Sequence, residues 1–298
     1  MGSTRFGTVL TAMVTPFSPD GAIDFDVASA LAKFLVEQGS DGLVIAGSTG
    51  EGSALSDDEK LDLFSCVAHA VTVPVLAGST DANTAKSVAL TKRVKATGAA
   101  GVLLTTPNYS RPSQRGIAAH FAAIAQCTAL PVMLYDIPSR TGRKVASDTT
   151  IDLVRKNPNI VALKDASGDL VSAAHTKAVL GEDLDLYSGD DSLLLPFLSI
   201  GAVGIVSVAA HWASPEFSGL VRAVEKGDWL KAQAYNERLA PSCVFESTET
   251  YPNPMPTKAA MRSLGFAVGQ CRLPLGDADE TLDLAAADVV TSLRAQRG

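Results

Sequence analysis

The stretch 132–165, VMLYDIPSRTGRKVASDTTIDLVRKNPNIVALKD, holds the pattern on which the fold turns. Two short apolar runs, 132–135 and 160–163, flank a longer stretch of helical period. Strands separated by a helix cannot form a tight hairpin, so the unit reads as two parallel strands joined by a crossover helix. Between the first run and its helix lies Pro138-Ser139-Arg140-Thr141-Gly142, where proline and glycine stop both neighbours from extending. That loop is a candidate site element.

The same unit recurs on either side. Runs at 7–14, 42–46, 73–77, 101–104, 184–187 and 204–206 complete a set of eight, each followed by a helical stretch. The helix after the second run opens with Ser56-Asp57-Asp58-Glu59, a cap followed by acids that suit the positive end of a helix dipole. Leu61, Phe64, Val67, Ala68 and Val71 then recur at helical spacing. Periodicity alone allows an open doubly wound sheet, but eight units with little left over favour a closed (β/α)8 TIM barrel. The chain of 298 residues suits one barrel of roughly 250 residues and an appendage. Beyond about residue 226 the strands stop and helical patterns remain at 229–240, 257–264 and 278–293. The expected division is a barrel at 1–226 and a C-terminal helical extension at 227–298, packed on the barrel side or on a partner subunit.

At 46% hydrophobic and 19% charged residues, the composition supplies a core and gives no case for disorder. A net charge of -7 without any block of lysine or arginine argues against a nucleic-acid partner. Cys66, Cys127, Cys243 and Cys271 form no CxxC or Cys/His ligand set and read as reduced thiols. The opening MGSTRFGTVL lacks the design of a signal peptide, and no apolar run reaches the ~20 residues needed to cross a bilayer. The expectation is a cytoplasmic enzyme with no membrane association.

In a barrel of this kind, active sites gather at the C-terminal ends of the strands. The residues that end the runs include Gly47-Ser48-Thr49-Gly50-Glu51, Thr105-Thr106-Pro107-Asn108-Tyr109, Tyr135-Asp136, Lys164-Asp165 and Ser188-Gly189-Asp190-Asp191. Lys164 at the barrel mouth would lose water, which disfavours its ammonium form and frees an amine to attack a ketone. A strand-end lysine can equally snorkel to solvent or pair with Asp165. Tyr135, on the adjacent strand, could exchange protons with an intermediate on Lys164, or simply plug the rim. The loop at Gly47, Ser48 and Thr49 could offer hydroxyls and backbone N–H groups to a small carboxylate, or be an ordinary turn. It is neither a dinucleotide fingerprint nor a P-loop. Asp190 and Asp191 argue against a phosphorylated substrate; they read as a helix cap or, with no histidine beside them, a poor metal set. His69, His120, His175 and His211 lack partners at ligand spacing and read as structural or surface residues.

The segments GSTGEG from 47, TTPNYSRPSQRG from 105, YDIPSRTG from 135, ALKDASGD from 162, GIVSV from 204 and NPMPTKAAM from 253 together resemble the pyruvate-dependent aldolase family of dihydrodipicolinate synthase and N-acetylneuraminate lyase. The resemblance covers essentially the whole chain and itself implies the barrel. It implies that Lys164 forms an imine with pyruvate, that Tyr135 shuttles protons to it, and that Ser48 and Tyr109 complete a proton relay. The Tyr109 position in this family reaches a neighbouring subunit's site, implying a homo-oligomer, a dimer or a dimer of dimers. Thr49 resembles a ligand for the pyruvate carboxylate, with Gly47 beside it, and Val206 a position whose backbone carbonyl faces the site. No metal or organic cofactor is implied.

Arg140 points to the synthase branch, whose second substrate is aspartate semialdehyde, because a guanidinium offers a planar fork for a carboxylate. Ser48-Thr49 looks more like the lyase branch, which leaves a sugar-acid lyase or aldolase as the alternative; a barrel that senses a keto acid without catalysis is a further one. Many synthases bind inhibitory lysine through a tyrosine just before the relay tyrosine and a glutamate in the third helix. Those positions hold Asn108 and Lys86 here, so weak or absent inhibition by lysine is expected.

Overall fold

The computed structural model describes residues 4–297; the first three residues of the amino-terminal stretch read above lie outside them. Eight parallel strands close into a barrel in sequence order. They are β1 (Val9–Ala12), β2 (Gly42–Ile45), β3 (Val75–Gly78), β4 (Gly101–Thr105), β5 (Val132–Asp136), β6 (Ile160–Asp165), β7 (Asp185–Ser188) and β8 (Gly204–Ser207). Around them run α1 (Phe25–Glu37), α2 (Asp57–Ala70), α3 (Thr84–Val94), α4 (Gln114–Ala125), the short α5 (Pro138–Thr141), α6 (Ser147–Lys156), α7 (Leu170–Leu180), α8 (Leu194–Ser199) and α9 (Ala210–Glu225). The extension supplies α10 (Trp229–Phe245), α11 (Met255–Ser263) and α12 (Glu280–Ala295).

Several strands begin later than their apolar runs, for local reasons. Gly7 takes a left-handed backbone, and Asp41 accepts from the N–H groups of Thr8 and Val9, so the first ladder opens only at Val9. Pro74 has no N–H to give and serves β2 as an acceptor for Leu43, which delays β3 to Val75. At the other end β6 runs two residues past its apolar run, so Lys164 belongs to the strand itself. The cap before α2 forms in full: Ser56 Oγ accepts from Glu59 N, and Glu59 accepts from Ser56 N.

Strand alternation sorts the side chains into two buried layers. Leu10, Ala12, Val44, Leu76, Leu103, Met133, Tyr135, Ala162, Tyr187 and Val206 fill the lumen. Their strand neighbours, among them Leu43, Ile45, Leu134 and Leu163, face the helices. Tyr187 donates to the carbonyl of Gly7 and, with Phe6, closes the N-terminal end of the lumen. The chemistry is left to the other mouth.

The extension packs α10 along α9 and α12 along α11, then returns over that mouth. A buried ion pair at 2.7 Å joins Lys258 of α11 to Glu51 in the loop after β2. Arg272 donates to Glu59 and to the carbonyls of Gly21 and Ala54, while its own N–H goes to Glu51. At the far end Arg297 pairs with Glu216 of α9. All four cysteines are free.

Candidate active site

Lys164 reaches the mouth by counting in twos along β6. Ala162 points into the lumen and Leu163 toward the helices, so Lys164 points inward and Asp165 outward. Both alternatives for the lysine are thereby removed: it is 4% exposed, and Asp165 faces the other side, accepting instead from Ser167 N. Among the described residues the Lys164 amine makes no ion pair. Burial lowers its pKa from 10.5 to about 8, against the pull of the Asp191 charge and with help from Arg140. Gly189 makes room for it, since a Cβ there would lie 2.9 Å from Lys164 Cγ and 3.0 Å from Cε.

Tyr135 is the register partner of Lys164 across β5 and β6. The lysine nitrogen sits 4.2 Å from the centre of its ring, and the phenol is buried. Burial pushes the phenol up to about 12, with Arg140 and the nearby Ser48 side chain pulling the other way. Tyr135 therefore keeps its proton at neutral pH and can donate it.

The loop after β2 is folded too tightly for side chains at its glycines; a Cβ on Gly52 would fall on the Ala46 carbonyl oxygen. The turn holds Gly47 and Ser48 on the wall of a cleft of about 760 Å³ that also meets Thr106, Asn108 and Arg140. Thr49 is buried, and its hydroxyl accepts from Asn253 Nδ2 at 3.0 Å. Val206 is fully buried in the lumen on β8, beside Leu10 of β1. Arg140 lies on α5, its Nη2 donating to the Asn253 carbonyl at 3.1 Å. Arg111 and Arg143 clasp the loops after β4 and β5 by donating to the Gly142 and Pro112 carbonyls.

Tyr109 is not brought to the others within this chain. Its side chain is 96% exposed, and its backbone is left-handed at φ 62°, a conformation that non-glycine residues adopt at a cost. Asp190 caps the short turn after β7 by accepting from Ser192 N, whereas Asp191 turns inward and accepts from Ser207 Oγ and Ala209 N, both at 2.7 Å. His211 is buried as a neutral ring that accepts from Val14 N on Nε2 and contacts the Val208 carbonyl through Nδ1, with its pKa pushed down to about 4 by burial. Among the described residues no three His, Cys, Asp or Glu side chains converge as a metal site, and no helix is long and apolar enough to cross a membrane.

Two features were beyond sequence reasoning. Asn253, from the extension, touches both Thr49 and Arg140; its only signal was its place in the NPMPTKAAM segment. Glu246, at the end of α10, lies against Asp191, and nothing in its sequence surroundings marked it.

A buried, weakly basic lysine beside a protonated phenol, at the C-terminal mouth of a (β/α)8 barrel, places an amine able to attack a carbonyl group where barrel enzymes keep their active sites. Comparison with known proteins makes the class specific. The chain matches the Dihydrodipicolinate synthetase family over residues 5–293. It is 46% identical to the 4-hydroxy-tetrahydrodipicolinate synthase of Desulforamulus reducens, over 93% of this chain and 94% of that one. A crystal structure of DHDPS from Cyanidioschyzon merolae with lysine bound superposes with a TM-score of 0.94 at 40% identity, covering 98% of this chain and 99% of that one. One of dihydrodipicolinate synthase from Acinetobacter baumannii complexed with pyruvate gives 0.91 at 32% identity, covering 98% and 99%. The chain belongs to the dihydrodipicolinate synthetase family.

Proposed function

We propose that the chain is a lyase that condenses pyruvate with L-aspartate 4-semialdehyde to 4-hydroxy-tetrahydrodipicolinate, in the cytoplasm, as a step of lysine and diaminopimelate biosynthesis. The observation that carries the reading is the buried Lys164 amine stacked against Tyr135. The neutral amine attacks C2 of pyruvate, and the ketone oxygen leaves as water with a proton delivered through Tyr135. Loss of a methyl proton gives the enamine, whose carbon attacks the aldehyde of the second substrate. The amine of that substrate then closes the ring on C2 and expels Lys164. The imine is the electron sink, so the proposal needs no cofactor. Thr49, with the Gly47 and Ser48 backbone, holds the pyruvate carboxylate, and the Val206 backbone borders it.

The reading also places a second copy of the chain at the site. A fully solvated aromatic in a costly backbone conformation is what a residue looks like when its partner is missing, and Tyr109 is such a residue. Ser48, Tyr135 and the neighbouring copy's equivalent of Tyr109 would then form the relay, in a dimer or a dimer of dimers. Ser48 is also the one residue favouring the sugar-acid lyase, while Arg140 and the names of the relatives favour the synthase. Borohydride trapping with pyruvate, followed by mass spectrometry and by assays of the semialdehyde beside N-acetylneuraminate and 2-keto-3-deoxygluconate, separates the readings. An adduct on Lys164 with turnover of the semialdehyde alone supports the synthase; turnover of a sugar acid moves the chain to the other branch.

Arg140 binds the semialdehyde carboxylate in this scheme. Arg140→Ala is expected to lower kcat/KM for the semialdehyde by roughly 10- to 100-fold, the scale of a hydrogen bond to a charged group. Imine formation with pyruvate should persist, and unchanged kinetics would remove the assignment. Lysine should inhibit weakly or not at all. Lys86 and Asn108 both border the cleft, and an ammonium at Lys86 repels the amino groups of lysine where a carboxylate would attract them. Half-inhibition at sub-millimolar lysine would contradict this.

A further inference from the structure

Behind Lys164, two carboxyl groups are pressed together with too few donors for both to be charged. Asp191 is 3% exposed and spends its oxygens on Ser207 Oγ, Val208 N and Ala209 N. The Glu246 carboxyl lies against it, and Glu246 Oε2 is buried without a hydrogen-bond partner. A proton on Glu246, donated to Asp191, relieves both the repulsion and the missing bond. The charged and titratable groups around the pair come from several elements. Asp190 follows β7, Cys243 lies one turn back on α10, Lys164 comes from β6, and Arg140 acts on Lys164 from α5.

We propose that Glu246 and Asp191 share a single proton, and that Glu246 is thereby a positioning residue which keeps the charge facing Lys164 at one negative unit. This rests on Lys164 being the imine-forming residue. One negative charge is the useful number. Two would hold Lys164 as an unreactive ammonium, whereas none would leave the cationic iminium without a counter-charge in a site shut off from water. Burial drives the Glu246 carboxyl well above the ordinary range and Asp191 opposes its ionisation, which agrees with the donor count. The two carboxyls and the amine then titrate as a linked set.

The test is the pH dependence of borohydride trapping with pyruvate on the whole enzyme, for wild type, Glu246→Gln, Asp191→Asn and the double variant. Glutamine keeps a donor toward Asp191 and cannot take on a second negative charge. In Glu246→Gln the one negative charge stays on Asp191, so the rise of trapping with pH should superpose on that of the wild type. In Asp191→Asn the charge passes to Glu246 and the profile should again stay near wild type, whereas the double variant holds no charge and its rise should move to lower pH by on the order of one unit, the coupling expected of linked sites. Melting temperatures report whether any variant is merely unfolded. A Glu246→Gln profile already moved to lower pH would mean two charges in the wild type, and an Asp191→Asn profile moved as far as that of the double variant would mean that Glu246 never takes the charge; either result overturns the proposal, whatever happens to stability. Absence of any adduct on wild-type Lys164 would instead overturn the imine reading beneath it.

Discussion

Lys164→Met is expected to be inactive and yet no less stable than the wild type. Without the amine no pyruvate adduct can be trapped, and kcat should fall by at least ~10³-fold, the scale on which loss of a covalent nucleophile acts. The stability half follows from the same burial that makes the amine reactive. The unfolded chain binds the lysine proton up to about pH 10.5, while the folded one releases it near 8. Below about pH 8 folding therefore carries a penalty on the order of 3 kcal/mol, which fades as the pH climbs toward 10.5. Methionine fills a similar volume without a charge to desolvate, so at pH 7 the variant's melting temperature should rise, and the gap should narrow at alkaline pH. Calorimetry across that range checks it. A variant that melts lower at pH 7, with the gap unchanged by pH, would mean that the site stores no such cost. The wild type should also form imine faster as the pH passes through about 8 and the neutral amine accumulates.

The barrel was legible because each β/α unit repeats the same signal, a short apolar run followed by a helical period, and eight repeats leave little freedom. Strand ends were less legible. Gly7, Pro74 and Asp41 set where ladders begin through backbone geometry and donor supply, which apolar pattern does not record. Lys164 was readable as a strand-end residue, but its environment was not. Only the inward count from Ala162 and the outward turn of Asp165 distinguish a desolvated amine from a snorkelling one. The contributions of the extension were hidden for a different reason. Asn253 meets Thr49 across 204 residues, and Lys258 meets Glu51 across a similar span. No local rule links residues so far apart, and the helical pattern of α11 says only that one face is buried. Glu246 was hidden more deeply, since a glutamate at the end of a helix is ordinary until the fold sets it beside another buried carboxyl.

Tyr135→Phe should lower kcat by roughly 10²- to 10⁴-fold, the range for removing a positioned acid or base. The ring stays against the Lys164 amine, so pyruvate binding and the placement of the nucleophile should survive, leaving KM for pyruvate within a few-fold of wild type. What goes is the proton. The phenol is pushed up to about 12 by burial, so it holds its proton at neutral pH and, in the proposed reaction, gives it to the carbinolamine oxygen as that oxygen leaves. In the proposed relay Ser48, on the cleft wall beside it, connects that donor to the cleft. Two groups acting in one proton path should not contribute independently. Once Tyr135 is phenylalanine, Ser48→Ala should cost little more, although alone it should slow the wild type by at least ~10-fold through the same path. The double-mutant cycle, read on single-turnover imine formation, decides the matter. Strict additivity of the two losses would separate Ser48 from Tyr135 and dissolve the relay, while a large rise in KM for pyruvate in Tyr135→Phe would make the hydroxyl a binding group.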